Sequence, residues 1–488
     1  MKYIMGIDLG TTGCKASLFE QSGRLAEQAY REYSSENYTG FIDCELVWEK
    51  TKEVIRECNS RRPEVQGVCI TSFGESVILV DREGRPLGES VLYSAGGVDE
   101  EWRELERKIG REKIYQITGH ISHPMYTVSR LLWYRVHDPE LYGKTARFLF
   151  FSSYIAMRMG ADCVAEDTHA ARSMAYDVEH GCWSREILDA AGISIDLLPP
   201  VAAAGEVIGR VPGGLAEELG FNGKPLIIAG GQDQPCVALG MGAVKGGDAV
   251  YGLGTVECLS VVLDRYQKSG SMEESHLVCA PHVIPGKFLT YGVLYSGGNV
   301  IRELRDRLFR PRLEKSGTDI YQEMFHGIDR VENRLLVIPH LFGSGTPGMN
   351  QEEGACVLGI RPDTAPEEIL QAVIEGLAFD MRINIENMER AGIPVRQIRA
   401  AGGGAKSPEA MQVRADVLGQ RLYIPKDVQA GARGVFFIAA KALGWLHDYS
   451  EIPGFIKLEE TCIEPRKGAA DKYKRKYEAY RAVQNWMF

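Results

Sequence analysis

Four stretches of this 488-residue sequence hold residue types whose spacing could do chemistry. The first is Asp8-Leu9-Gly10-Thr11-Thr12-Gly13-Cys14-Lys15. Glycines there let a backbone approach phosphate oxygens, Thr11 and Thr12 offer donors, Lys15 adds positive charge, and Asp8 can hold a hydrated Mg2+ ion. A plain hairpin turn with a buried aspartate accounts for the same residues. The second, Ala229-Gly230-Gly231-Gln232-Asp233-Gln234-Pro235, sets a carboxylate and two amides after the apolar run Leu226-Ile227-Ile228. Ligands of α/β proteins bind at strand ends, but an Asp in such a Gly-rich turn is also a common helix N-cap. The third, Gly402-Gly403-Gly404-Ala405-Lys406-Ser407, lacks the glycine that a P-loop needs immediately before its lysine. What remains is a backbone shelf for adenine and ribose, or a helix-packing turn. The fourth, Thr71-Ser72-Phe73-Gly74-Glu75-Ser76, offers Glu75 either to a ligand or to solvent.

The elements around these stretches follow from periodicity. Residues 3–8, 14–20 and 24–33 read as strands, a helix begins near Glu45 with Val47, Thr51, Val54, Ile55 and Cys58 on one face, and residues 67–71 form a fourth strand. A strand, a Gly252-Leu253-Gly254-Thr255 turn and a second strand over 257–263 echo this opening. The echo predicts an internally duplicated α/β protein with halves 1–244 and 245–488, joined through a linker at 242–247. Further on, Thr364-Ala365-Pro366-Glu367 reads as a capping box and Ser407-Pro408-Glu409 as a second helix start, ending at Gly419. Tyr473, Tyr477 and Tyr480 lie one turn apart near the end, a stripe that reads as packed core.

Length and composition limit the function classes. A chain of this size exceeds what one core usually supports, so two domains of roughly 200 to 250 residues are expected. With 44% hydrophobic and 25% charged residues, the chain has the balance of a folded globular protein. A formal net charge of −10 argues against nucleic acid and anionic membrane as partners, because both need a basic surface. No segment has the apolar length of a membrane span. The eleven cysteines are scattered singly, without zinc-ligand spacing, and read as free thiols of a reducing cytoplasm.

Taken together, these stretches resemble the FGGY family of carbohydrate kinases, members of the actin, hexokinase and heat-shock-chaperone ATPase superfamily. The most specific agreement is Ala355-Cys356-Val357-Leu358-Gly359-Ile360, followed after seven residues by Glu368-Ile369-Leu370-Gln371-Ala372-Val373-Ile374-Glu375, the family's C-terminal signature. The first-domain signature is partly kept in residues 125–133, with Arg130 where the family has Lys. The resemblance implies two actin-like, ribonuclease H-like domains with a nucleotide and sugar cleft between them. It implies ATP and Mg2+ as cofactors, a sugar or polyol as substrate, and room for a homodimer. It assigns Asp8 to the metal, Gly10, Thr11, Thr12 and Lys15 to the first phosphate turn, and Gly254 and Thr255 to the second. Gly298, Gly402, Gly403, Gly404 and Ser407 fall on nucleotide contacts, Asp233 on the catalytic base, and Glu75, Asp233 and Gln234 on the sugar. A ketose such as xylulose or a 6-deoxyketose is the favoured substrate; the alternative is a nucleotide-gated sugar-binding protein that transfers nothing. Four residues depart from common members: Ala95 and Gly97 in the sugar loop, Glu303 for a Trp, and Gln429 for a Glu.

Overall fold

Alternating apolar residues build the first sheet strand by strand. In a computed structural model of the chain, which describes residues 1–33, 40–92, 98–313, 319–426, 429–457 and 459–487, β1 (Lys2–Leu9) and β2 (Gly13–Glu20) pair antiparallel. Their turn is closed by the Gly10 N–H on the Gly13 carbonyl at 2.9 Å, and the register sets Asp8 opposite Lys15. β3 (Leu25–Glu32) extends the meander. The helix α1 (Cys44–Cys58) buries the face its spacing predicts, and the Asp43 side chain caps it by accepting the Glu45 N–H at 2.9 Å. β4 (Glu64–Ser72) then returns parallel to β1. After the short helix α2 (Asp167–Ala171) come β5 (Val207–Arg210) and β6 (Leu226–Gln232), which runs into α3 (Asp233–Gly240).

The second half repeats the plan. β7 (Asp248–Leu253) and β8 (Glu257–Leu263) pair antiparallel, and β9 (Ala280–Pro281) and β10 (Phe288–Leu294) continue outward. The helix α4 (Gly298–Leu304) follows, then the separate two-stranded sheet of β11 (Leu336–Ile338) and β12 (Cys356–Leu358). α5 (Pro366–Arg390) leads to β13 (Gln397–Ala401), parallel to β7, and α6 (Pro408–Leu418) to β14 (Leu422–Pro425). α7 (Ala430–Ala442), β15 (Glu460–Ile463) and α8 (Ala469–Met487) complete the described elements used below. The sheets have the orders β5-β6-β4-β1-β2-β3 and β9-β10-β8-β7-β13-β14-β15. Read from β3 and from β10, six strands match one for one, so the duplication extends well past the opening hairpins. Mixed α/β architecture in two sheet-bearing halves is thus borne out.

Several local expectations hold and two shift. Ser407 caps α6 through the Ala410 N–H at 3.1 Å, and Gly419 ends it with φ 65°. Tyr473, Tyr477 and Tyr480 surround Phe379 of α5 at ring-centroid distances of 6.2, 5.6 and 5.2 Å, as core. At the start of α5, Glu368 accepts the Ala365 N–H at 3.0 Å, but the Thr364 hydroxyl turns back to Arg361, so only half of the capping box forms. Much of the stretch expected as a linker is packed: Gly242, Ala243, Val244 and Gly247 are buried, and Lys245 is exposed.

α7 belongs to the second half in sequence yet packs on the first sheet. A Cβ on Gly6 of β1 would lie 2.8 Å from the Ala432 carbonyl, and Phe436 meets Phe19 at 5.0 Å. It also crosses α3 backbone to backbone. A Cβ on Gly240 would fall 1.9 Å from the Ala430 carbonyl, and one on Gly434 2.0 Å from that of Cys236, which only glycine permits. This crossing ties the halves together beneath the cleft that the strand ends face.

Candidate active site

The turns expected to face the nucleotide, at Gly254, Gly298 and Gly402, meet at the end of β7. The Gly298 and Asn299 N–H groups each reach back 3.0 Å, to the Gly254 and Thr255 carbonyls, and a Cβ on Gly298 would sit 2.5 Å from the former. Gly402 has φ +96°, and its missing Cβ would lie 2.6 Å from the Leu253 carbonyl. The three segments therefore approach at backbone distance. They open on a cavity of about 1200 Å3 bordered by Gly254, Thr255, Gly298, Gly403, Gly404 and Ser407. Sequence reasoning misses Arg302, Tyr321 and Phe325, which line its far end, and Arg414 beneath it. Arg414 is buried against Glu257 at 2.6 Å, and Glu257 also accepts from the Tyr251 hydroxyl. Burial pushes the Glu257 carboxyl up, and Arg414 works against that. The Nε and Nη1 groups of Arg414 are buried and, among the described residues, have no hydrogen-bond partner.

The turn expected to hold phosphate, between β1 and β2, lies on the other sheet. Burial raises the Asp8 carboxyl above its ordinary range, and Lys15 pulls it back. Lys15 Nζ donates to Gln429 Oε1 at 2.8 Å, which fixes the ammonium against the start of α7. Gln429 is a neutral partner where a carboxylate is common, so the Lys15 charge stays uncancelled there. α7 itself stands over Asp8: a Cβ on Gly431 would come 2.8 Å from Asp8 Oδ2.

Asp233 is placed by a break in β6. The pairing of β6 with β4 shifts between Ile228 and Gly231, and a Cβ on Gly230 would strike the Ile70 carbonyl at 1.9 Å. The Thr168 hydroxyl of α2 holds the Gln232 N–H at 2.9 Å. Gln232, not Asp233, is the N-cap of α3; its side chain accepts the Gln234 N–H at 3.2 Å and its amide donates to Asp233. Asp233 Oδ1 also accepts the Gln234 N–H at 2.7 Å, while the Gln234 side chain is exposed. Burial, with the charges of Glu75 and Asp8, pushes the Asp233 carboxyl up to about 7. Across the cleft, Cys258 and Tyr291 of the second sheet lie within electrostatic reach of both Asp233 and Arg172.

Glu75 is buried and holds a left-handed backbone, φ 64°. Its carboxylate pairs with Arg172, whose guanidinium sits 4.9 Å from the Tyr126 ring centroid. Arg172 keeps 17% of its side chain exposed against 5% for Glu75, so the arginine is the member nearer the open cleft. Sequence reasoning misses Arg172 and Thr168. The signal available was Glu166-Asp167-Thr168-His169-Ala170-Ala171-Arg172, a densely polar run that is largely buried. His169 in that run lies 3.0 Å from the Ser72 hydroxyl and 3.2 Å from Glu166, sealed from solvent below the turn. Of the departures, Glu303 makes a surface pair with Arg307 at 2.7 Å, and Ala95 and Gly97 lie outside the described residues.

Among the described residues no three His, Cys, Asp or Glu side chains gather as a metal cage. Asp8 and Asp233 are both pushed up by burial, and the charge of Asp8 adds to the shift at Asp233.

Duplicated sheets with glycine turns at their strand ends, and Asp233 at the end of β6, are the arrangement with which the family is compared. The chain belongs to the FGGY family of carbohydrate kinases, matching its N-terminal domain over residues 3–240 and its C-terminal domain over residues 249–443. It is thus a carbohydrate kinase, and kinases of this family use ATP. It is 25% identical to a xylulose kinase of Bacillus subtilis, with 99% of this chain and 97% of that protein covered. A glycerol kinase of Lactobacillus acidophilus is also 25% identical, over 99% and 98%. Among solved structures, a xylulose kinase from Lactobacillus acidophilus superposes with a TM-score of 0.90 at 23% identity, covering 99% and 98%, and shares the fold. A Plasmodium falciparum glycerol kinase with ADP superposes at 0.88 with 18% identity, covering 100% and 99%. No described helix is long and apolar enough to cross a membrane.

Proposed function

We propose that this kinase transfers the γ-phosphoryl group of ATP, with Mg2+, to a hydroxyl of a neutral ketose or polyol, a ketose such as xylulose or a 6-deoxyketose foremost. The observation that carries the reading is Asp233, a carboxylate at a strand end held up to about 7, where a general base works well at neutral pH. The hydroxyl oxygen forms its bond to the γ-phosphorus as the bond from that phosphorus to the β-phosphate bridging oxygen breaks. The hydroxyl proton passes to Asp233, and ADP leaves. Asp8 would hold the metal, which would offset phosphate charge when bound. The turns at Gly10 to Lys15, Gly254 to Thr255, Gly298 and Gly402 to Ser407 would orient the nucleotide. Residues 1–244 would carry the sugar and the first phosphate turn, and 245–488 the nucleotide. The free thiols of all eleven cysteines accord with a cytoplasmic setting.

A neutral substrate follows from charge. Glu75 offsets the charge of Arg172, the cation found beside it among the described residues, which favours a neutral substrate over one with a carboxylate. Purified protein screened for ADP release against ketopentoses, 6-deoxyketoses, polyols and aldonates tests this. Turnover of a neutral ketose or polyol is expected. Turnover of an aldonate alone would overturn the substrate class, and binding of sugar and ATP without any transfer would favour the non-catalytic alternative.

A further inference from the structure

The short helix α2 bears on the turn that carries Asp233. A Cβ on Gly231 would lie 2.9 Å from the Thr168 hydroxyl, the same group that accepts the Gln232 N–H. His169, the next residue, is wholly buried, and its ring stacks on Phe150 at 5.2 Å. Its Nδ1 faces Glu166 Oε2 at 3.2 Å and the Ser152 hydroxyl at 3.5 Å. Its Nε2 faces the Ser72 hydroxyl at 3.0 Å and the Ser72 carbonyl at 3.2 Å, at the end of β4. Glu166 already takes the Ser152 and Ser153 protons at 3.1 and 3.4 Å, and Ser72 spends its own on the Phe73 carbonyl at 3.0 Å. A carboxylate and a carbonyl can only accept, so the ring is satisfied with a proton on each nitrogen, as an imidazolium.

A buried ion pair of this kind is weak evidence for stability, since apolar side chains of similar volume often serve as well. Its charge, however, bears on Asp233. Glu75 and Asp8 favour the proton on that carboxyl, and His169 is the cation set against them. Cys236 of α3 and, across the cleft, Cys258 and Tyr291 also face Asp233. Asp167, beside His169 on α2, feels the same ring.

We propose that His169 is a positioning residue for the phosphoryl transfer: its ring, fixed by Glu166 and Ser72, holds a positive charge behind Asp233 and keeps that carboxylate free to take the sugar's proton near neutral pH. The role rests on the reading of Asp233 as the base. kcat/KM is followed from about pH 5.5 to 9, with the sugar of the panel that releases the most ADP. His169→Gln keeps a donor for the Ser72 carbonyl but removes the charge, which favours the protonated carboxyl at Asp233. The acid limb should therefore move up by about half to one pH unit, a loss of about three- to tenfold on that limb relative to the variant's own plateau. The single variant strands Glu166, so His169→Gln with Glu166→Gln, which leaves no unpaired charge, should fold and show the same displacement. A purely structural role would lower the plateau or the melting temperature and leave the limb in place. A limb that stays or moves down in a folded variant overturns the role of His169, while an inactive Asp233→Asn keeps the base. An Asp233→Asn variant that stays active removes both.

Discussion

Arg172 and Glu75, 97 positions apart, form an ion pair at the sugar side of the cleft, with the glutamate buried and the arginine partly open. Glu75 is held in place from behind, where the Thr127 hydroxyl donates to its carbonyl at 2.7 Å. A sugar hydroxyl reaching this wall would meet the guanidinium first. On the proposed reading, Glu75 acts on the substrate largely through Arg172.

Arg172→Met should accordingly raise the sugar KM by about 10- to 100-fold, the worth of a hydrogen bond to a charged group, and move the ATP KM by less than about threefold. Glu75→Ala should show the same split with a larger loss of thermal stability, because it strands a cation in a mostly buried place. Steady-state kinetics with each substrate varied in turn check both variants. Equal effects on the two KM values would make the pair structural.

Strands, turns and caps were legible in the sequence because their rules are local. Alternation marks β1 and β2, and Ser407 with Pro408 marks the start of α6, within a few residues. The glycine turns at 254, 298 and 402 were legible as separate pieces, and topology alone brings them into contact. What escaped depends on long-range approach. Lys15 and Gln429 are 414 positions apart, and no window of sequence joins them. The run 242–247 looks like a tether by composition, but the α3–α7 crossing draws its neighbours into the core. The alternative reading of Asp233 as a helix cap misses by one position: Gln232 at the end of β6 caps α3, and the irregular pairing of β6 is not visible in local sequence.

Asp8 should matter to nucleotide affinity only when metal is present. Asp8→Ala is expected to weaken MgADP binding severalfold in calorimetry, while ADP binding in EDTA stays close to wild type. An equal loss under both conditions would assign Asp8 to the geometry of the turn, since its carboxylate also faces Lys15.

Gly402→Ala tests the nucleotide shelf by backbone alone. The residue sits at φ +96° with the Leu253 carbonyl 2.6 Å from any Cβ, so the alanine must displace the loop. A cost of about 1 to 3 kcal/mol in stability is expected, along with a raised ATP KM and an unchanged sugar KM. A variant with wild-type ATP KM would remove this loop from the nucleotide site.

Asp233 is the residue on which the reaction rests, and pH and substitution test it separately. Its carboxyl is pushed up to about 7, so below that pH it carries a proton and cannot accept one from the sugar. kcat/KM should therefore fall about tenfold per pH unit on the acid side and level off above pH 7. Asp233→Asn should lower kcat by about 10² to 10⁴ and erase that limb, while sugar and ATP binding persist. The stability sign runs the other way. A carboxyl whose folded pKa is raised costs stability once pH exceeds its unfolded value, so the Asn variant should melt no lower than wild type at pH 8. Asn also keeps an oxygen to accept the Gln234 N–H, and the cap belongs to Gln232 in either case. A variant that phosphorylates its sugar within a factor of a few of wild type would leave Asp233 a helix-start residue and the base elsewhere. A variant that loses both activity and its melting temperature would make the aspartate a structural part of the turn.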